Sequence, residues 1–195
     1  RHYGMFRVEA GLSPLTIEKM VFDHTDLGRQ VAVEVLGARD VVLRDIAGLG
    51  VKMVMRQNRG GEVFLENICC GPMEFKGSKG VWGRQINTEG GGVRIINQGA
   101  PLWMLGVKAE RYNTLIHNRK SGVSEMLGGL VYIVQDIKDK PIRPAFVNEQ
   151  GAVMRLAFVE ESFSFNSAYL VYLQNHLRKP TSKLFATEFP PRRKG

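Results

Sequence analysis

Short runs of alternating apolar and polar residues follow one another along most of this chain. Residues 17–22, 31–35, 41–46, 51–55 and 63–68 are rich in β-branched side chains, and turn-forming segments such as 36–40 separate them. Brief period-two runs bounded by Gly, Asp or Arg predict strands. Residues 146–147 and 153–160 read as the last strands of the series. A single stretch, 168–177, has the pattern of a short helix. The aromatic-rich segment 158–172 is expected to cap the open end of whatever the strands build, because an uncovered end exposes core and strand edges.

The runs also repeat. Residues 81–89 lie over 102–110 at an offset of 21, which sets Trp82 over Trp103 and Glu89 over Glu110. Met104-Leu105-Gly106 recurs 22 residues later as Met126-Leu127-Gly128, and 63–68 echo 41–46 at the same offset. Residues 93–97 recur as 114–118 at an offset of 21. Repeats of this length made of short strands predict the stacked coils of a solenoid. The expected fold class is therefore all-β: a parallel β-helix over residues 1–177 with a short C-terminal cap, followed by an extended or mobile basic tail at 178–195.

Overlaying four runs yields a column of Asp45, Asn67, Asn97 and Asn118, which predicts a side-chain ladder at a bend of successive coils. The wider gap between its second and third members predicts an inserted loop at 70–80, leaving the coil at Gly71-Pro72 and Gly77-Ser78-Lys79-Gly80. Strict alternation assigns Trp82, Trp103, Ile86, Val107, Thr88, Ala109 and Val131 to the inner face, so the two tryptophans are expected in the core. Exposed, they could instead stack on sugar rings. Arg84 and Glu125 share that parity and fit it poorly, since an unpaired buried charge is costly. Either they pair with each other or a bulge turns them outward.

Composition changes this picture little. The 195 residues suffice for one large domain, and 22 glycines against 8 prolines suit many tight turns. A net charge of +8 permits an anionic partner, but part of it sits in Arg192-Arg193-Lys194. Cys69 and Cys70 are adjacent, which disfavours a mutual disulfide and makes no metal site. The four histidines, His2, His24, His117 and His176, are scattered without metal-ligand spacing, and Gly90-Gly91-Gly92 lacks the strand–loop–helix setting of a phosphate-binding turn. No metal, cofactor, nucleic acid or membrane partner is expected. The chain opens at Arg1, which points to a piece of a longer protein.

Three segments, Trp82-Gly83-Arg84-Gln85-Ile86-Asn87-Thr88-Glu89, Leu102-Trp103-Met104-Leu105-Gly106-Val107-Lys108-Ala109-Glu110 and Glu125-Met126-Leu127-Gly128-Gly129-Leu130-Val131-Tyr132, resemble terminal coils of the pectate-lyase superfamily. The resemblance covers about residues 30–165. It implies a right-handed, single-stranded parallel β-helix of the C-terminal part of a secreted or periplasmic carbohydrate-active protein. Its members include glycoside hydrolases, polysaccharide lyases and non-catalytic spikes or adhesins, and no catalytic motif of the superfamily maps onto this chain. A fold of this kind does not by itself fix an activity.

The outward parity places Gln85, Asn87, Lys108, Glu89, Glu110 and Tyr132 in neighbouring positions. Two carboxylates on adjacent strands would lie about 5 Å apart, the separation of a retaining glycosidase pair. Proximity would raise the pKa of one of them, as an acid catalyst requires. Glu89 and Glu110 are thus the candidate catalytic pair, with Gln85, Asn87, Lys108, Tyr132 and Arg84 as candidate substrate-binding residues. Lys108 or Arg84 could also neutralise an acidic sugar, as elimination chemistry needs. The plain alternative is a solvated charged surface. The expected function is binding or cleaving a polysaccharide, possibly acidic, by a monomer or homotrimer; the rival is a non-catalytic structural, adhesin or spike-like module.

Overall fold

The structure, a computed structural model, describes residues 5–22, 31–48, 51–56, 60–134, 140–141, 143–163 and 173–175. Among these, all regular structure is β-strand, in the order β1 (Phe6–Val8), β2 (Leu15–Val21), β3 (Val31–Val35), β4 (Val41–Gly48), β5 (Lys52–Arg56), β6 (Glu62–Cys70), β7 (Met73–Lys76), β8 (Gly80–Thr88), β9 (Ile95–Gln98), β10 (Pro101–Glu110), β11 (Ile116–Arg119), β12 (Val123–Ile133), β13 (Phe146–Asn148), β14 (Val153–Phe163) and β15 (Leu173–Asn175). Odd-numbered strands form an eight-stranded sheet and even-numbered strands a seven-stranded one, each in sequence order. Every pairing is parallel. Each coil therefore lays one strand in each sheet before climbing to the next. This is a parallel β-solenoid, as the repeats require.

The core fills the space between the sheets. Leu43, Leu65, Ile68 and Ile86 point in from the even sheet and meet Met53, Met55, Met73, Phe75, Ile95, Ile116 and Phe146 from the odd sheet, all fully or almost fully buried. One coil alone has no opposite partner above or below to cover these side chains, so stacking is what removes them from water. The register agrees with the repeats: Trp82 sits beside Trp103, Met104 beside Met126, Val41 beside Val63 and Asn97 beside Asn118.

A column of left-handed residues bends the even sheet. Lys19, Asp45, Asn67 and Gln85 have φ of 57°, 53°, 52° and 53°, and Gly106 and Gly128 continue the same rungs at 72° and 75°. Such a residue inserts an extra outward position, so two neighbours in a row face solvent and the alternation restarts one step out of phase. Along β8 the buried positions are Gly80, Val81, Gly83, Ile86 and Thr88, with Arg84 and Gln85 both exposed. The Met-Leu-Gly repeat has its cause here, because glycine takes this conformation without strain.

The bend overturns the expected placing of the tryptophans. Trp82, Trp103, Arg84 and Glu125 all precede it, and they face outward, while Ile86, Val107, Thr88, Ala109 and Val131 follow it and face inward as expected. The bulge considered for Arg84 and Glu125 is therefore real. Arg84 pairs with Glu66 on the neighbouring strand, not with Glu125 two strands away.

The four-membered Asx column also divides. Asp45 and Asn67 lie on the solvent side of the even sheet, joined by an Asn67 Nδ2 to Asp45 Oδ1 hydrogen bond of 2.8 Å. Asn97 and Asn118 belong to the odd sheet, where they continue into Asn148. There Asn118 Nδ2 donates to Asn148 Oδ1 (3.0 Å), to the Gly122 carbonyl (3.0 Å) and to the Val153 carbonyl (2.7 Å). Ser124 Oγ donates to Asn118 Oδ1 (3.1 Å) and accepts from Asn97 Nδ2 (2.9 Å). This buried ladder satisfies the backbone groups of each turn between β9 and β10, β11 and β12, and β13 and β14. The 70–80 segment carries no inserted loop either, since Met73–Lys76 is a regular strand of the odd sheet. The apparent gap arose from comparing strands of different sheets. In the 168–177 segment, Leu173–Asn175 is a strand paired with β13, not helix. Residues 158–163 continue β14 beside β12. The remainder of the expected cap and the 178–195 tail lie outside the described residues.

Replacing Asn118 by Leu should lower unfolding stability by about 3 kcal/mol, because it strips partners from buried carbonyls worth roughly 1–3 kcal/mol each when left unsatisfied. Asn67→Gly, which removes the solvent-side hydrogen bond but keeps a residue at ease with the left-handed φ of 52°, should cost under about 1 kcal/mol. Urea denaturation of the two variants measures the difference.

Candidate functional site on the outer face of the even sheet

Two halves of one surface meet along the bend. On the half before it, Val42, Phe64, Trp82, Trp103 and Glu125 occupy successive rungs of one column. Trp82 and Trp103 stack with ring centroids 4.1 Å apart and planes within 10°. Each shields one face of the other; Trp82 is 41% exposed and Trp103 half-buried. The next column reads Glu18, Arg44, Glu66, Arg84, Leu105 and Leu127. Arg44 reaches Glu18 at 3.4 Å and Glu66 at 3.1 Å, and Arg84 bonds the other oxygen of Glu66. The Arg84 hydrogen bond leads the causes that hold the Glu66 carboxyl below the ordinary carboxylate range.

These columns border a groove of about 590 Å³ that runs across the strands from Val42 to Leu127. Its size falls within the range of ligand sites, and its lining is aromatic and aliphatic with a few charged groups at the edge, as such sites are. Leu105, at 59% exposure, and Leu127, at 41%, leave its upper end apolar.

On the half beyond the bend lie most of the residues singled out in the sequence. Lys108 Nζ stands between Glu110, which it hydrogen-bonds, and Glu89 at 3.5 Å. Tyr132 OH donates to the same Glu110 oxygen, and Lys108 sits 5.7 Å from the Tyr132 ring centroid. Asn87 is the rung neighbour of Lys108, but its amide turns to Cys69 Sγ at 3.3 Å. Gln85 occupies the bend itself, and Arg84 belongs to the other half. The sequence-derived set is thus brought together around Lys108, with Arg84 and Gln85 set apart from that cluster.

The electrostatics of the cluster follow from its closure. Hydrogen bonds from Lys108 and then Tyr132 hold the Glu110 carboxyl below the ordinary carboxylate range, against a smaller opposing effect of burial. The same Glu110 contact raises Lys108, and burial followed by the bond to Glu110 raises Tyr132. A raised Glu110, the mark of an acid catalyst, is not what this arrangement produces. Elsewhere, His117 of the odd sheet meets Glu149 at 2.7 Å through Nε2. Cys69 and Cys70 are unbonded thiols, and burial together with Cys69 pushes Cys70 up to about 12. Among the described residues, no group of three or more His, Cys, Asp or Glu could hold a metal ion.

Phe64, Arg44, Glu66, Leu105 and Leu127 were not anticipated as site residues. The signal was present in the Trp82/Trp103 repeat, but strict alternation sent that column inward. Comparison with protein-family models, with curated proteins and with solved structures finds no match to this chain.

Because the folded-state pKa of Glu110 is depressed, its contribution to stability is present above the unfolded carboxylate pKa and is lost as pH falls through the folded one. Glu110→Gln should therefore be less stable than the parent at neutral pH, and the difference should vanish on acidification below the carboxylate range. Chemical denaturation at both pH values measures it.

Proposed function

We propose that this chain is a polysaccharide-binding β-solenoid that holds an extended glycan along the outer face of its even sheet. The observation that carries this reading is the groove itself, with a stacked tryptophan pair beside guanidinium and carboxylate groups. Sugar rings present C–H faces that settle on aromatic surfaces and hydroxyls that bond to charged donors and acceptors. Rungs about 4.8 Å apart repeat such contacts along the solenoid, which suits a polymer better than a single small molecule. The resemblance of the terminal coils to the pectate-lyase superfamily points to the same ligand class, and to a secreted or periplasmic setting.

The geometry favours binding over cleavage. Lys108 stands between Glu89 and Glu110, and Tyr132 bonds the same Glu110 oxygen as Lys108 does. In retaining hydrolysis one carboxyl must carry a proton, whereas Lys108 favours the ionised form of Glu110, the proposed partner. The cluster is better suited to locking the upper coils in register, with Lys108 and Tyr132 as ligand-facing groups at its rim.

Trp103→Ala should weaken glycan binding at least about tenfold, equivalent to roughly 1.4 kcal/mol, while Glu89→Gln should change it less than about threefold. Affinity electrophoresis on a polysaccharide panel measures both. If Glu89→Gln or Glu110→Gln instead abolishes release of reducing ends by a cleaving parent, the protein is a hydrolase and the binding-only reading fails.

A further inference from the structure

The charges around the groove narrow the kind of glycan it takes. Resting on the polysaccharide-binding reading, we infer that the groove selects a neutral glycan whose rings present a flat apolar face, and discriminates against polyuronates. The chain as a whole carries +8, which alone would favour an acidic polymer. That excess does not reach the groove. Its charged lining is Arg44 and Arg84 against Glu66 and Glu125, two cations against two carboxylates. Both cations are already engaged: Arg44 lies between Glu18 and Glu66, and Arg84 bonds Glu66. Beyond the bend Lys108 is likewise held between two glutamates.

A uronate carboxylate that took the open N–H groups of Arg84 would have to sit beside the Glu66 carboxylate that the same guanidinium already holds. Like charges set that close oppose binding. A neutral sugar meets no such penalty. Its hydroxyls can donate to Glu66 and Glu125 and accept from Arg84, 61% of whose side chain is exposed, while the ion pairs stay intact. The wall left for its rings is apolar: Phe64, Trp82, Trp103, Leu105 and Leu127. Pyranoses joined with their substituents equatorial present C–H faces flat enough to follow that wall.

The test is calorimetric titration of the whole chain with cello-, xylo- and laminari-oligosaccharides and with oligomers of galacturonate and mannuronate, at low and at high salt. At least one neutral series should bind with an affinity that changes less than about twofold between the two salts, as expected where no net charge is neutralised. Trp103→Ala should weaken it at least about tenfold. Uronates should bind only weakly, lose that binding at high salt and ignore Trp103→Ala, as contact with the basic surface elsewhere would. Glu66→Gln releases Arg84 and leaves Arg44 with Glu18 alone, so it should raise uronate affinity several-fold.

Parent binding of a uronate that Trp103→Ala abolishes would overturn the selectivity and leave the polysaccharide reading standing. So would a Glu66→Gln variant that gains no uronate affinity while still binding the neutral ligand. If no glycan of either class binds, the polysaccharide reading falls and the selectivity with it.

Discussion

Everything in this molecule depends on successive coils stacking with inward apolar side chains in register. Val41, Val63 and Val81, then Leu43, Leu65 and Gly83, occupy matched rungs, so these buried columns run in register from β4 to β8. A register slip of one residue would turn every such column to solvent. The buried amide ladder of Asn97, Asn118 and Asn148 enforces the same register from the odd sheet, because the Asn97 and Asn118 amides reach backbone carbonyls of their own turn and the next, and Asn148 one of its own. Apolar stacking thus supplies the driving force, and the ladder penalises misalignment.

The bend in the even sheet converts this regular stack into a shaped surface. At each rung a left-handed residue turns two consecutive side chains outward, so charged and apolar groups gather along one line. Lower rungs fill the position with Lys, Asp, Asn or Gln, and upper rungs with Gly106 and Gly128. The groove therefore grades from an ion-paired end at Arg44 to an end where Leu105 and Leu127 lie beside Glu125. The site is a by-product of how the coil turns its corner.

Two clusters on this face illustrate how proximity alone misleads about chemistry. Glu89 and Glu110 are neighbours, as the repeat requires, yet the side chain placed between them, Lys108, holds the Glu110 carboxyl below the ordinary range instead of letting it rise. Trp82 and Trp103 are neighbours too, and their mutual stacking leaves an aromatic wall at the surface. In both cases the third group or the local backbone decides what the pair can do.

Much of the fold was legible in the residues. Strand runs, the offsets of 21 and 22, and the pairing of Trp82 with Trp103 and of Asn97 with Asn118 all follow from patterns whose physical basis is local: side-chain alternation and the need of one coil for the next. What the chain could not show was where alternation is interrupted. A single left-handed residue at Gln85 or Gly106 is invisible to a period-two reading, yet it decides that Trp82 and Arg84 face solvent while Ile86 stays buried. Nor could spacing tell two sheets apart, so Asn67 and Asn97 were placed in one column although they lie on different faces. The amino-acid pattern determined that coils stack and which residues become rung neighbours. Only the three-dimensional path of the backbone decided which side of the wall each neighbour occupies, because that depends on one dihedral angle per coil and not on residue type.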